Sequence, residues 1–126
     1  MRAILFRGKR KDNGEWVEGS LLCFKGFSIF DENIWKNYFT VDSSTVGQYT
    51  GLTDKNGKRI FEGDIILFDY IGKNRGVCGT EAVVFENGKF GVKWGSHREL
   101  VCLDGFANTT LEVIGNIHDS PELLEG

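Results

Sequence analysis

Gly47 to Tyr70 reads GQYTGLTDKNGKRIFEGDIILFDY, and its punctuation decides the fold. A polar turn, Asp54-Lys55-Asn56-Gly57-Lys58, leads through Ile60-Phe61 into Glu62-Gly63-Asp64, and the apolar run Ile65-Ile66-Leu67-Phe68 follows directly. Turn residues bounding a β-branched and aromatic run mark a strand. Because the run has no polar alternation, that strand is expected to be central and buried on both faces. Gly63 sits where the chain must reverse before Ile65, so φ > 0 is expected there. Asp64 is placed to accept turn N–H groups. Asn56-Gly57 supplies the residues for the preceding turn. The stretch is structural throughout and contains no reaction.

Downstream, Gly72 to Gly79 (GKNRGVCG) is a Gly-rich segment with Lys73 and Arg75, expected as a hairpin loop. It lacks the Lys-Ser/Thr pair of a phosphate-binding loop, and no helical pattern follows it. In Thr80 to Trp94, Asn87-Gly88 lies between alternating runs and predicts a two-residue hairpin. The register places Glu86 opposite Lys89, Phe85 opposite Phe90 and Val83 opposite Val92, with the apolar residues sharing one face and Glu86 and Lys89 pairing on the other. Short strands are expected at Leu100 to Leu103 and Leu111 to Ile117, with a turn at Asp104-Gly105. Ser120-Pro121-Glu122 has the form of an N-cap, a proline and a first-turn acid, and opens one helical turn through Leu124.

Upstream, Ala3 to Phe6 forms a first strand ended by the polar cluster Arg7 to Lys11. Asn13-Gly14 makes a turn, and Trp16 to Phe24 is a second strand in which Gly19 marks a bulge or bend. Phe27 to Phe30 and Ile34 to Val41 continue the strand pattern, although Phe27, Phe30, Ile34, Trp35 and Tyr38 also suit a short helix. Asp42 to Thr45 is a polar loop.

One domain is expected from 126 residues, long enough to bury a core without staples. Seventeen Gly against one Pro points to many tight turns and so to a β-rich chain. Eighteen acidic against fifteen basic side chains give a net charge of -3, which argues against gripping nucleic acid through the overall field. No window matches a transmembrane helix or a secretory signal, so a cytoplasmic location is expected. Cys23, Cys78 and Cys102 are scattered, form no C-x-x-C, and are not at metal-ligand spacing to His97 or His118. They are expected as free buried thiols.

Three segments are more specific than their physics requires: VGQYTGLTDKNGKRIFEGDII at Val46 to Ile66, the hairpin VVFENGKFGV, and LEVIGNIHDSPELL at Leu111 to Leu124. With an opening strand ending in Phe6-Arg7, the chain resembles the YopX family of small phage and prophage proteins of bacteria. The resemblance spans most of the sequence and is strongest from Thr45 to Ile66 and at the carboxyl end. It implies a mainly β fold, one domain over residues 1–126, and an SH3-type small barrel in the C-terminal two-thirds, from about Thr45 to Ile117. An N-terminal β-rich segment and the short C-terminal helical turn would be additions to that barrel. The resemblance implies a bacterial host cytoplasm and carries no catalytic residues.

The densest carboxylate group is Asp54, Glu62, Asp64 and Asp69. It offers a cation or acid/base site, but no D-x-D-x-D-G loop is present, and ordering of turns by Asp54 and Asp64 is the favoured reading. Ser96, His97 and Asp104, or Cys102 and His97, allow a triad to be written, yet neither stands in a nucleophile-elbow context. A nucleic-acid patch is available in Lys73, Arg75, Lys93 and Arg98 near Trp94 and Tyr70. Trp94, however, continues the apolar face of the hairpin, which favours packing. Three Trp, three Tyr and ten Phe exceed what one small barrel hides. The sequence is therefore read as a non-enzymatic accessory protein that needs no metal or cofactor, binds an unidentified protein partner, and self-associates through residues between Phe24 and Phe39. A small-barrel nucleic-acid-binding protein is the alternative.

Overall fold

The computed structural model describes residues 4–23, 26–31, 37–71, 76–94, 97–103 and 111–124. It is mainly antiparallel β and divides into two compact units, Met1–Gly51 and Leu52–Gly126.

The first unit contains β1 (Phe6–Lys9), β2 (Trp16–Cys23), β3 (Phe27–Asp31), β4 (Asn37–Thr40) and the start of β5 (Gly47–Thr53). Their order in the sheet is β4-β3-β2-β1-β5. Cross-strand partners share a face, so the register Gly8↔Val17, Leu21↔Ile29 and Ile29↔Phe39 sets one apolar face. On it Val17 and Ile29 are buried together with Val41, surrounded by half-buried Phe6, Leu21, Phe27, Phe39 and Val46. The sheet curls until the end of β1 meets the chain just past β4. Arg10 bridges Val41, the Lys11 N–H donates to the Thr40 carbonyl at 3.0 Å, and the Asp42 N–H donates to the Lys9 carbonyl at 2.8 Å. Gly19 makes close packing on this face possible, because a Cβ there would lie 1.9 Å from the Phe30 carbonyl oxygen. Its pairing with Phe6 is in register, so Gly19 is a close approach of backbone and not a bulge.

Arg7 to Lys11 does not end the first strand as expected. Arg7 to Lys9 are within β1, because the cations lie flat on an aromatic neighbour: Arg7 Cζ is 4.7 Å and Lys9 Nζ 5.6 Å from the centre of the Trp16 ring. The Asp42 to Thr45 loop holds a 3-10 turn at Ser43–Thr45, whose Asp42 cap accepts the Ser44 N–H at 3.0 Å. Thr45 Oγ1 accepts the Lys9 N–H at 2.9 Å and donates to the Asp42 carbonyl. Within Phe24 to Phe39, the described segments Phe27–Asp31 and Asn37–Thr40 are strands and not helix. Ile34 to Lys36 lie outside the described residues.

The second unit contains β6 (Arg59–Phe61), hydrogen-bonded to β5, then β7 (Asp64–Ile71), β8 (Gly76–Ala82), β9 (Val84–Glu86), β10 (Lys89–Trp94), β11 (Glu99–Cys102) and β12 (Leu111–Asn116). The last six form two three-stranded sheets, β12-β7-β8 and β11-β10-β9. β7 is the central strand of its sheet. Adjacent residues Ile65 and Ile66 are both fully buried, so both of its faces are covered there. Ile66, Phe68, Val83, Val92, Leu103 and Leu111 join Ile60 in one core. Gly63 has φ 92° and opens the strand. Among the described residues no ladder closes these strands into a barrel, so the SH3-type expectation is met only at the level of short antiparallel strands.

The hairpin turn has φ 52° at Asn87 and 77° at Gly88, and the pairs Glu86↔Lys89, Phe85↔Phe90 and Val84↔Gly91 follow. The ladder stops there, and Val83 does not continue it opposite Val92. Val83 instead exchanges backbone hydrogen bonds with the turn before β7: its carbonyl accepts the Gly63 N–H at 2.9 Å and its N–H donates to the Asp64 carbonyl at 2.8 Å. The Glu86 carboxylate pairs with Lys93 at 3.0 Å and not with Lys89, its partner in the backbone register. Gly76 to Gly79 belong to β8 and not to a loop. Gly79 is required there because a Cβ would come within 2.8 Å of Phe68 and Trp94. Residues 72–75 and the Asp104-Gly105 turn lie outside the described residues. Pro121–Leu124 forms the expected helical turn as a 3-10 turn, with Leu123 lying over Gly115.

Two glycines separate crowding from backbone strain. Gly19→Ala drives a methyl into a carbonyl and should cost about 3 kcal/mol, at the upper end of overpacking. Gly57→Ala, at φ 80° with open space around it, should cost about 1–2 kcal/mol from conformation alone. Denaturant midpoints of the two variants check the order.

Candidate functional site

Two carboxylates of the organising stretch, Asp54 and Asp64, are spent on backbone. Asp54 is buried, and its Oδ1 accepts the N–H groups of Asn56 and Lys58, each at 2.9 Å. Its Oδ2 accepts the Val113 N–H at 2.9 Å, which ties the turn to β12 across 59 residues. Burial is the largest single influence on this carboxyl and pushes its pKa up. The N–H donors of Val113, Lys58 and Asn56, followed by the Lys58 charge, outweigh that, and the net displacement is below the ordinary value of 3.8. Asp64 is also buried and accepts the Phe61 N–H at 2.8 Å. Glu62 is half-buried, and the Asp69 side chain lies outside the described residues. Among the described residues no group of three or more His, Cys, Asp or Glu is placed to hold a metal ion.

Neither triad is brought together by described residues. Ser96 and Asp104 lie outside them, His97 is exposed, and Cys102 is half-buried on β11 opposite Gly91. Cys23 is exposed, contrary to the expectation of buried thiols, because it ends β2 on the rim of the sheet. The His118 N–H donates to Asn116 Oδ1 at 3.0 Å in the terminal turn.

Of the four cations of the nucleic-acid patch, Lys73 and Arg75 lie outside the described residues. The other two are paired: Lys93 with Glu86, and Arg98 with Glu81, whose hydrogen bond raises the Arg98 pKa. Trp94 meets Phe68 edge-on, ring centres 5.1 Å apart, and is packed against the core. It offers no free stacking platform.

Two further features lie in the first unit, the first of them partly within the Phe24 to Phe39 region expected to self-associate and the second not foreseen from the sequence. The register Ser20↔Phe30↔Tyr38 and Leu22↔Ser28↔Thr40 puts six uncharged residues on the outer face of β2, β3 and β4. Leu22 is 46% and Tyr38 56% exposed, and the Tyr38 and Phe30 rings are 4.8 Å apart.

Beside β4 lies a cleft of about 320 Å³ lined by Arg10, Lys11, Asp12, Tyr38, Phe39 and Thr40. Arg10 is held in place from two sides. Its Nε and Nη2 donate to the two Asp12 oxygens at 2.9 and 2.5 Å, and its Cζ stands 4.3 Å from the centre of the Phe39 ring. The shared hydrogen bonds raise the Arg10 pKa and lower that of Asp12. Lys11 leaves the cleft with one cation in excess.

These observations define a small antiparallel β protein in which Asp54 and Asp64 serve the backbone and in which, among the described residues, the first unit carries two uncharged rows on one sheet face and a cleft of net positive charge. The chain belongs to the YopX family, whose model, described as YopX protein, matches residues 5–125. Among solved structures it is similar to the protein EF1440 from Enterococcus faecalis, at 24% identity and a TM-score of 0.59, over 99% of this chain and 100% of that one. That likeness shows the fold. No curated protein matches.

Asp54 makes a prediction with a defined sign. Its folded-state pKa is depressed, so its stabilisation is fully present above the unfolded value and is lost as pH falls through the folded one. Asp54→Asn should cost about 1.5–3 kcal/mol at neutral pH. The gap between variant and parent in urea titrations should narrow steadily below pH 3.8.

Proposed function

We propose that the chain is a non-enzymatic accessory protein of phage or prophage origin, located in the bacterial host cytoplasm, that acts by binding protein and by self-association. The observation that carries this reading is the outer face of β2, β3 and β4. Leu22, Phe30 and Tyr38 stand on it among Ser20, Ser28 and Thr40, with no charge in either row. In a chain that is 26% charged, a sheet face of hydroxyls and aromatics has the composition of an interface core. These two rows, next to which Glu18 stands on β2, bring no like charges of their own together when one copy meets another.

The SH3-type reading of the strands from about Thr45 to Ile117 belongs to the same proposal, supported by β7, β10, β11 and β12, whose residues meet in one core with Ile60 of β6. The nucleic-acid alternative ranks lower because Lys93 and Arg98 already hold acidic partners and Trp94 is packed. Commitment of Asp54 and Asp64 to backbone supports a non-enzymatic reading.

Light scattering at micromolar concentration should give a mass above the 14.1 kDa of one chain. Tyr38→Ser and Leu22→Ser should move the protein toward monomer without lowering its melting temperature by more than a few degrees. A clean monomer of the parent chain would end this reading. Fluorescence anisotropy with single-stranded oligonucleotides should show little binding at physiological salt, and salt-sensitive micromolar binding would promote the alternative.

A further inference from the structure

We infer that the cleft beside β4 receives the C-terminal turn of a second copy of this chain. The inference rests on the self-association reading and names the surface that meets it.

The argument starts from charge. Arg10 is neutralised and oriented by Asp12, so the excess cation of the cleft is Lys11, whose side chain is exposed. Tyr38, more than half exposed, provides an apolar wall. The cleft therefore suits a short segment that carries one carboxylate next to one aliphatic side chain. Its volume is at the small end of the range for ligand pockets, which fits a turn better than an extended chain.

In the turn Asp119 to Leu124, Glu122 and the leucines after it have that chemistry, while Asp119 Oδ2 accepts from the Asn116 amide at 3.2 Å. Glu122 is exposed, and Leu123 and Leu124 are 38% and 42% exposed. Asn116 Oδ1 accepts the N–H groups of His118 and Asp119, and the Ser120 N–H donates to the Asn116 carbonyl at 2.9 Å. Leu123 rests on Gly115. These contacts fix the turn, so Glu122 and Leu124 are presented with little left to order on binding. In the second copy Glu122 meets Lys11 while Leu124 lies on Tyr38. The pairing joins two different surfaces and is heterologous, so copies add head to tail.

Charge reversal tests this. Lys11→Glu and Glu122→Lys change exposed side chains on opposite partners of the proposed contact, and circular dichroism and melting confirm that each variant folds. Sedimentation velocity is expected to show each single variant dissociating at five-fold or higher concentration than the parent. The double variant Lys11→Glu/Glu122→Lys should regain parental association, and mixing the two single variants should restore it as well, because every cleft then finds a turn of opposite charge on the other variant. Raised salt should weaken the parent. Three results would overturn the inference. If the parent associates and both single variants match it while Tyr38→Ser or Leu22→Ser dissociates, the turn is not the mate and self-association stands. If the double variant is weaker than either single one, the two charges do not meet. If the parent is monomeric at every concentration reached, this inference and the self-association reading fall together.

Discussion

The architecture of the second unit depends on one carboxylate with three backbone donors. Asp54 closes its own turn through Asn56 and Lys58 and reaches Val113 on β12 with its other oxygen. A charged acceptor with several amide donors is among the stronger polar arrangements available to a buried group. It also fixes sequence-distant strands relative to one another. Lys55 reinforces the joint with its N–H on the Leu111 carbonyl and its ammonium 3.3 Å from Glu112. β12 is then delivered in register to β7, with a single irregularity between Val113 and Gly115. Gly63 completes the arrangement from the other end of β7, accepting the Ile117 N–H. β7 is thus held at its start by backbone and along its length by ladder on both sides.

The same economy bears on what Asp54 and Asp64 have left for chemistry. A general base or a metal ligand needs an oxygen available to something other than the backbone. Both Asp54 oxygens already accept protein N–H groups, and Asp64 Oδ2 accepts the Phe61 N–H. In the first unit Arg10 and Asp12 share a cleft with an exposed tyrosine.

What the sequence revealed and what it hid follow from the range of the interactions concerned. Local signals were legible: Asn87-Gly88 with its alternating flanks gave the hairpin pairs from Glu86↔Lys89 inward, and Ile65 to Phe68 gave the central strand. Where a distant partner supplied the constraint, local reading failed. Arg7 to Lys9 look like a loop unless Trp16 is known to lie beneath them. Gly76 to Gly79 look like a loop unless Trp94 is known to need the space above Gly79. Val83 leaves the hairpin because Gly63 and Asp64 offer it better partners. The cleft was illegible for the same reason, since it depends on the bridge between Arg10 and Val41 and no pattern within either segment announces it.

The Asp54 turn also bears on how the chain tolerates change in length. Because Oδ1 holds the N–H groups of both the second and the fourth residue beyond it, the loop has a set number of residues, and an inserted one would pull at least one donor away. The Asn13-Gly14 turn of the first unit is closed by local backbone bonds between Arg10 and Glu15 and between Gly14 and Arg10, and its asparagine ties no distant strand. Its Asn13 Oδ1 accepts only the nearby Glu15 N–H, and a Cβ on Gly14 would meet nothing within 4 Å. Relatives that differ in length should therefore place insertions near Gly14 and keep the spacing from Asp54 to Lys58 constant. The same point is where a tag or a fused domain can be carried with least disturbance.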